Sequence, residues 1–152
     1  DPPDAPWRPV GWTRALVALM APAHRARLDA ALADSRRGPV VGTVYRRTRV
    51  QDGARVQRAE LRLDGLAGCL RTPRGGSSRQ FLAVMRDGAL RVRHLSAREC
   101  ARLMGLPDSF VMPARATRAA WLAGDGVAAP AVRFLAETLF QPALAARTPS
   151  PA

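Results

Sequence analysis

The alternation of apolar and polar positions separates a strand-like middle from two helical ends. From Trp12 to Ser35 the residues Leu16, Leu19, Met20, Leu28 and Leu32 recur at helical spacing, and Pro22 splits the run, so the pattern predicts a short helix followed by a longer one. After Gly38-Pro39 the period drops to two. Val41–Arg49 and Arg55–Leu63 are β-branched and alternating, and Gln51-Asp-Gly-Ala between them predicts a hairpin. Leu66–Thr72 and Phe81–Arg86 predict two more strands separated by Pro73-Arg-Gly-Gly-Ser-Ser-Arg-Gln80, and Asp87-Gly88 turns the second into Leu90–His94. Ser96-Ala-Arg-Glu99 has the form of a capping box, which starts a helix that should stop at Gly105. Helical pattern resumes over 116–123 and again from Pro130 to Leu139, with Gly124-Asp-Gly126 expected as a turn between them.

These elements predict an α+β chain: an antiparallel sheet flanked by helices. Its expected divisions are an extended, proline-rich lead over 1–11, a helical segment over 12–37, a β region over 38–94, a helical part over 95–141 and a flexible tail over 142–152.

Composition adds a partner class. The 152 residues carry 24 basic against 12 acidic side chains, a formal charge of +12, and every basic residue is Arg. Lys, Asn and Ile are absent altogether, which marks a GC-rich coding sequence and explains the choice of Arg over Lys but not the excess over acids. Residues 36–79 hold eleven arginines against Asp52, Glu60 and Asp64, a local excess of eight. Such a concentrated field fits a polyanion, whose phosphates release counterions as arginines replace them. At this length, with 47% apolar residues, one packed core is expected and a large multidomain enzyme is excluded. The longest apolar stretch, around Ala15–Ala21, is too short to span a bilayer, so no membrane role is expected and a reduced intracellular setting is the default.

No catalytic constellation is visible. His24 and His94 lie far apart, no hydroxyl sits in a GxSxG context, paired carboxylates are lacking, and Cys69 and Cys100 have neither metal-ligand spacing nor a nucleophile motif. Both cysteines are expected as small core residues, and no catalytic or metal-binding residue is assigned. The loop around Arg71, Thr72, Arg74, Gly75, Gly76, Ser77, Ser78, Arg79 and Gln80 is more informative. Its glycines permit close backbone approach, its hydroxyls and amides can meet phosphate oxygens, and its arginines and Gln80 have the fork geometry that reads base edges. It is equally a flexible hairpin loop by composition alone. Tyr45, Arg46, Arg47 and Arg49 add a second basic stretch, with alternate arginines projecting to one face of a strand.

One further segment is specific. Leu95-Ser-Ala-Arg98-Glu99-Cys-Ala101-Arg102-Leu103-Met104-Gly105-Leu-Pro107-Asp108-Ser-Phe110, followed by Gly124-Asp-Gly-Val127-Ala-Ala-Pro130, resembles the last two conserved blocks of DNA cytosine-5 methyltransferases. The preceding Gly68–Gln80 segment is similar to the end of that family's target-recognition region, so the resemblance covers about residues 40–141. It implies that Tyr45–Arg49 and Arg71–Gln80 face double-stranded DNA, that Arg98 and Glu99 brace the recognition region, and that Gly124, Asp125, Gly126 and Val127 approach S-adenosylmethionine. It also implies an enzyme that flips its target cytosine out of the duplex and attacks it with a cysteine.

Departures from the family pattern shape the rest of the expectation. Asp125 stands where the family carries Asn, Ala120 stands at an aromatic position with Trp121 displaced by one, and the Phe-x-Gly-x-Gly, Pro-Cys and Glu-Asn-Val blocks do not occur. The expectation is therefore the C-terminal, target-recognition portion of a bacterial, cytoplasmic and nucleoid-associated restriction-modification methyltransferase. Its C-terminal helices would pack on an α/β S-adenosylmethionine-dependent domain carried by a second polypeptide, which would bind most of the cofactor and supply the nucleophile. The competing expectations are a stand-alone DNA-binding module or inactive remnant, and, last, an RNA-binding protein.

Overall fold

The computed structural model describes residues 2–72 and 79–146. Four strands, β1 (Val40–Gln51), β2 (Ala54–Arg62), β3 (Phe81–Arg86) and β4 (Ala89–His94), form one antiparallel sheet in the order β2-β1-β3-β4. Helices α1 (Val10–Ala18) and α2 (Pro22–Asp34) precede it, broken at Pro22 as the pattern predicts. Helices α3 (Ala97–Leu103), α4 (Ala116–Asp125), α5 (Ala129–Leu135) and α6 (Gln141–Ala145) follow, with a wider π turn over Ala136–Phe140 joining the last two. The α+β class stands.

Both hairpins use two-residue Asp-Gly turns. Asp52 and Gly53 have φ of 50° and 77°, and Asp87 and Gly88 have 52° and 76°, the paired positive φ values that match the twist of adjoining strands. Phe81, Ala83 and Met85 alternate inward along β3 and meet Val44, Leu61 and Val92 of the other strands with Leu16 of α1, Met20 of the link after it, and Leu28 and Ala31 of α2. A smaller core on the opposite side of the sheet gathers Leu95, Cys100 and Ala123 against Leu70, Leu82 and Met104. Ser35 ties α2 to the β3–β4 turn: its hydroxyl donates to Leu32 O (2.7 Å) and accepts from Gly88 N (3.0 Å).

Leu66–Thr72 is not the strand that its apolar character predicts. The Gln80 side chain occupies the place of a ladder partner: Oε1 accepts from Gly68 N (2.9 Å), and Nε2 donates to Gly68 O (2.6 Å) and Cys69 O (3.1 Å). The segment's polar backbone is thus satisfied without strand pairing. The lead, in turn, enters helix at Val10, and before that it runs pinned along edge strand β4. Arg8 N donates to Val92 O (2.8 Å), Trp7 bridges to Arg93, and Asp4 Oδ2 accepts from Ala97 N (2.8 Å). This covers an edge that would otherwise offer unpaired backbone groups.

Two C-terminal boundaries also move. Helix α4 continues through Gly124 and Asp125, so the expected turn begins only at Gly126, and the expected tail from 142 is helical as far as Ala145.

Candidate nucleic-acid interface

Only Val40–Val44 of β1 pair with β3, whereas Tyr45–Gln51 pair with β2 alone. The outer part of the hairpin is therefore a two-stranded ribbon that projects about 20 Å beyond the sheet at roughly 3.3 Å per residue. It carries Arg46, Arg47, Arg49, Arg55 and Arg58 against Asp52 and Glu60. The period of two places Tyr45, Arg47 and Arg49 on one face with cross-strand Glu60, Arg58 and Val56, while Arg46 falls on the other face over the Phe81 ring (5.9 Å). Arg47 lies over the Tyr45 ring (4.5 Å), and Glu60 accepts from Arg49 Nε (2.7 Å) with Arg47 Nε at 3.7 Å. One carboxylate thus orients two guanidinium groups that remain half exposed, at 54% and 52% of their side-chain surface.

Segment 68–72 comes back beside this ribbon. Tyr45, Arg46, Arg47, Arg71 and Gln80 surround one hollow whose floor is Gly68 and Cys69. Arg71 is exposed, and Thr72 and Arg79 are half-buried. Gln80 is 6% exposed, and its amide is committed to the backbone bonds described above rather than to the surface. The candidate residues Arg74, Gly75, Gly76, Ser77 and Ser78 lie outside the described residues.

The Arg-Glu segment is built as a brace. Ser96 Oγ accepts from Glu99 N (3.2 Å), and Glu99 Oε2 accepts from Ser96 N (2.8 Å), closing the capping box. Glu99 also takes a two-pronged pair from Arg93 of β4, with Nη1 and Nη2 each at 2.7 Å. The Arg93 hydrogen bonds hold the Glu99 carboxyl down at about 2, against an ordinary 4.5, in spite of partial burial. Arg98 donates to Phe110 O (2.8 Å) and Pro107 O (3.3 Å), and Arg102 forms a two-pronged pair with Asp108 at 2.8 Å. These bonds fold 105–110 back onto α3.

The two sequence blocks lock together. Met104 O accepts from Ala129 N (2.8 Å), and Gly105, at φ +73°, lies against the Pro130 ring where no Cβ fits. A Cβ on Gly124 would overlap the backbone of Arg71 and Thr72, and one on Gly126 would press on Leu122 O and Met104. Both glycines thus serve packing within this chain. Asp125 adds a negative charge at the last residue of α4, the wrong sign for the cofactor's carboxylate and for the helix end. The Asp125 charge thus does not suit the carboxylate of S-adenosylmethionine, while Gly126 and the exposed Val127 line an apolar hollow with Met104, Leu106, Phe110 and Leu122.

Cys100 is buried, and burial pushes its thiol up to about 11, which removes it as a nucleophile. Cys69, expected in the core, is exposed because its segment is a surface run held through its backbone. No group of three or more His, Cys, Asp or Glu suited to a metal ion occurs among the described residues, and no helix among them is long and apolar enough to cross a membrane.

The run from Ala129 to Ala145 buries no side chain, and it exposes Val132, Phe134, Leu135, Leu139, Phe140 and Leu144. Both its helical periodicity and an apolar side left open within this chain are as the sequence predicts.

Residues 41–141 match the family model described as C-5 cytosine-specific DNA methylase, a span that takes in the sheet except Val40 and reaches the first residue of α6. No curated protein and no solved structure matches the chain.

Proposed function

The chain belongs to the C-5 cytosine-specific DNA methylase family, and on that premise we propose that it is the target-recognition part of such an enzyme, working with a separate catalytic half. The observation that carries the reading is the projecting arginine ribbon. A two-stranded ribbon fits the major groove of duplex DNA, where each base pair presents a distinct pattern of donors and acceptors. Tyr45, Arg47 and Arg49 form the reading face, Arg71 and Thr72 approach from the returning segment, and Arg74, Gly75, Gly76, Ser77 and Ser78 also contact the DNA.

The cysteine that attacks the flipped cytosine comes from the catalytic half, carried on a second polypeptide. The support for that partner is the apolar side of 129–145, six large side chains long, which is far more than an isolated helix exposes to water without an interface. S-adenosylmethionine, which supplies the methyl group in this family, is held mainly by that half. The setting that fits a recognition part paired with a catalytic half is a bacterial restriction-modification system. A stand-alone DNA-binding module would have no use for the apolar helical run, so that reading is weaker.

The test is selection of the purified chain on a pool of randomised duplexes. The expected result is enrichment of one short sequence family, with the joint substitution Arg47→Ala and Arg49→Ala lowering the ratio of target to non-target affinity by more than tenfold, at about 1–3 kcal/mol for each bidentate base contact. Uniform retention of all sequences would remove the recognition role.

A further inference from the structure

Residues 1–37 have no part in the recognition surface as described so far, yet they deliver an arginine to its edge. Phe81 opens β3 directly after the loop, and it pairs with His94, the last residue of β4. The two rings stack at 4.3 Å, and Trp12 of α1 packs on Phe81 at 4.9 Å. Three arginines from three different segments stand around this aromatic group. Arg46 of β1 lies over Phe81, Arg8 of the lead lies over Trp12 at 5.2 Å, and Arg79 stands two residues before Phe81 at the base of the loop.

We propose that Arg8, Arg46 and Arg79 form a phosphate-binding shelf that grips the sugar-phosphate backbone of duplex DNA beside the arginine ribbon. The proposal rests on the recognition reading above and extends it to the N-terminal lead. Three features support it. The shelf is rigid, because Arg8 is fixed through its backbone bond to Val92 O (2.8 Å) and the Arg8 and Arg46 head groups lie over packed rings. Arg8 Nε, itself buried, has no hydrogen-bond acceptor among the described residues, so a phosphate held by the outer nitrogens of the guanidinium would offset a charge left uncompensated at that atom. The field is strong enough to be felt locally: burial first, then the charges of Arg79, Arg8 and Arg46, press the His94 imidazole down to about 4, so it is neutral and adds no repulsion against a fourth cation. A phosphodiester is the ligand that suits three guanidinium groups presented together, and contacts of this kind set the register of a protein on DNA without reading sequence.

The test is the salt dependence of duplex binding by the whole chain. Arg8→Gln lowers the slope of log affinity against log salt by about one and weakens target and scrambled duplexes by the same factor, while Arg8→Lys, which keeps the charge, retains most of the slope. Arg86→Gln at the opposite end of β3 leaves the slope unchanged and serves as the control. Arg79→Gln reads the same shelf without touching the lead and gives the same uniform loss. Normal duplex binding with an unchanged slope in both Arg8→Gln and Arg79→Gln overturns the shelf and leaves the recognition reading standing. Failure of the unsubstituted chain to bind any duplex overturns both.

Discussion

Glu99 is where the sheet, the capping box and the Arg-Glu helix meet, so its removal tests how the recognition region is braced. Its carboxylate accepts two hydrogen bonds from Arg93, whose side chain is only 7% exposed, and one from Ser96 N. The folded carboxyl titrates at about 2 rather than 4.5, chiefly because of Arg93, and by linkage a shift of that size corresponds to about 3 kcal/mol. Because 28% of the Glu99 side chain is in contact with solvent, screening reduces the figure to about 2 kcal/mol. Glu99→Gln should therefore cost about 2 kcal/mol at neutral pH. Glu99→Ala, which strands the buried Arg93 charge and opens the cap, should cost about 4 kcal/mol. The pH dependence has a definite sign. A folded value below the unfolded one means that the stabilisation is complete above 4.5 and is lost as pH falls through about 2. Urea unfolding followed by tryptophan fluorescence at pH 7, 4 and 2 measures both effects. A Glu99→Gln chain within about 0.5 kcal/mol of the parent at pH 7, smaller than any two-pronged pair of this burial allows, would refute the reasoning. So would a gap between parent and variant that is the same at pH 2 and at pH 7.

Gly124→Ala should destabilise the chain by about 1–3 kcal/mol in thermal unfolding, because its Cβ would meet fixed backbone at Arg71 and Thr72 rather than a movable side chain. Since those two residues approach the recognition surface, the same variant should weaken sequence-selective duplex binding even where it remains folded. Gln80→Ala leaves the 68–69 backbone groups without partners and should cost about 2–3 kcal/mol, with faster hydrogen exchange at Gly68 N as the direct readout. Phe134→Asp combined with Phe140→Asp should leave unfolding within about 0.5 kcal/mol of the parent, because both residues are more than half exposed, and should abolish recovery of the proposed catalytic partner in pull-down.

Local signals in the sequence carried through to the structure. The Pro22 break, the two Asp-Gly turns and the Ser96–Glu99 box each depend on residues a few positions apart, and each forms as expected. The alternation along β1 also separates Arg47 and Arg49 from Arg46. Long-range substitutions were not legible. Leu66–Thr72 has the composition of a strand, and only the placement of Gln80 twelve residues beyond Gly68 explains why it pairs with a side chain instead. Gly124 has the look of a cofactor glycine, but the group that demands its small size is the chain's own backbone at 71–72, more than fifty residues earlier. The lead reads as an extended end by proline content, and its attachment to Val92 and Ala97 requires partners that its own residues do not encode.

The most direct test of the central claim is methylation of duplex DNA by the pair. The chain is tagged in its host, a copurifying protein that carries the Pro-Cys and Phe-x-Gly-x-Gly blocks is purified separately, and methyl transfer from S-adenosylmethionine is mapped at base resolution with each protein alone and with both together. Methylation at cytosine C5 in one sequence context, seen only with both proteins and scattered by Arg47→Ala with Arg49→Ala, is the predicted result. The same context methylated equally well without this chain would contradict the account.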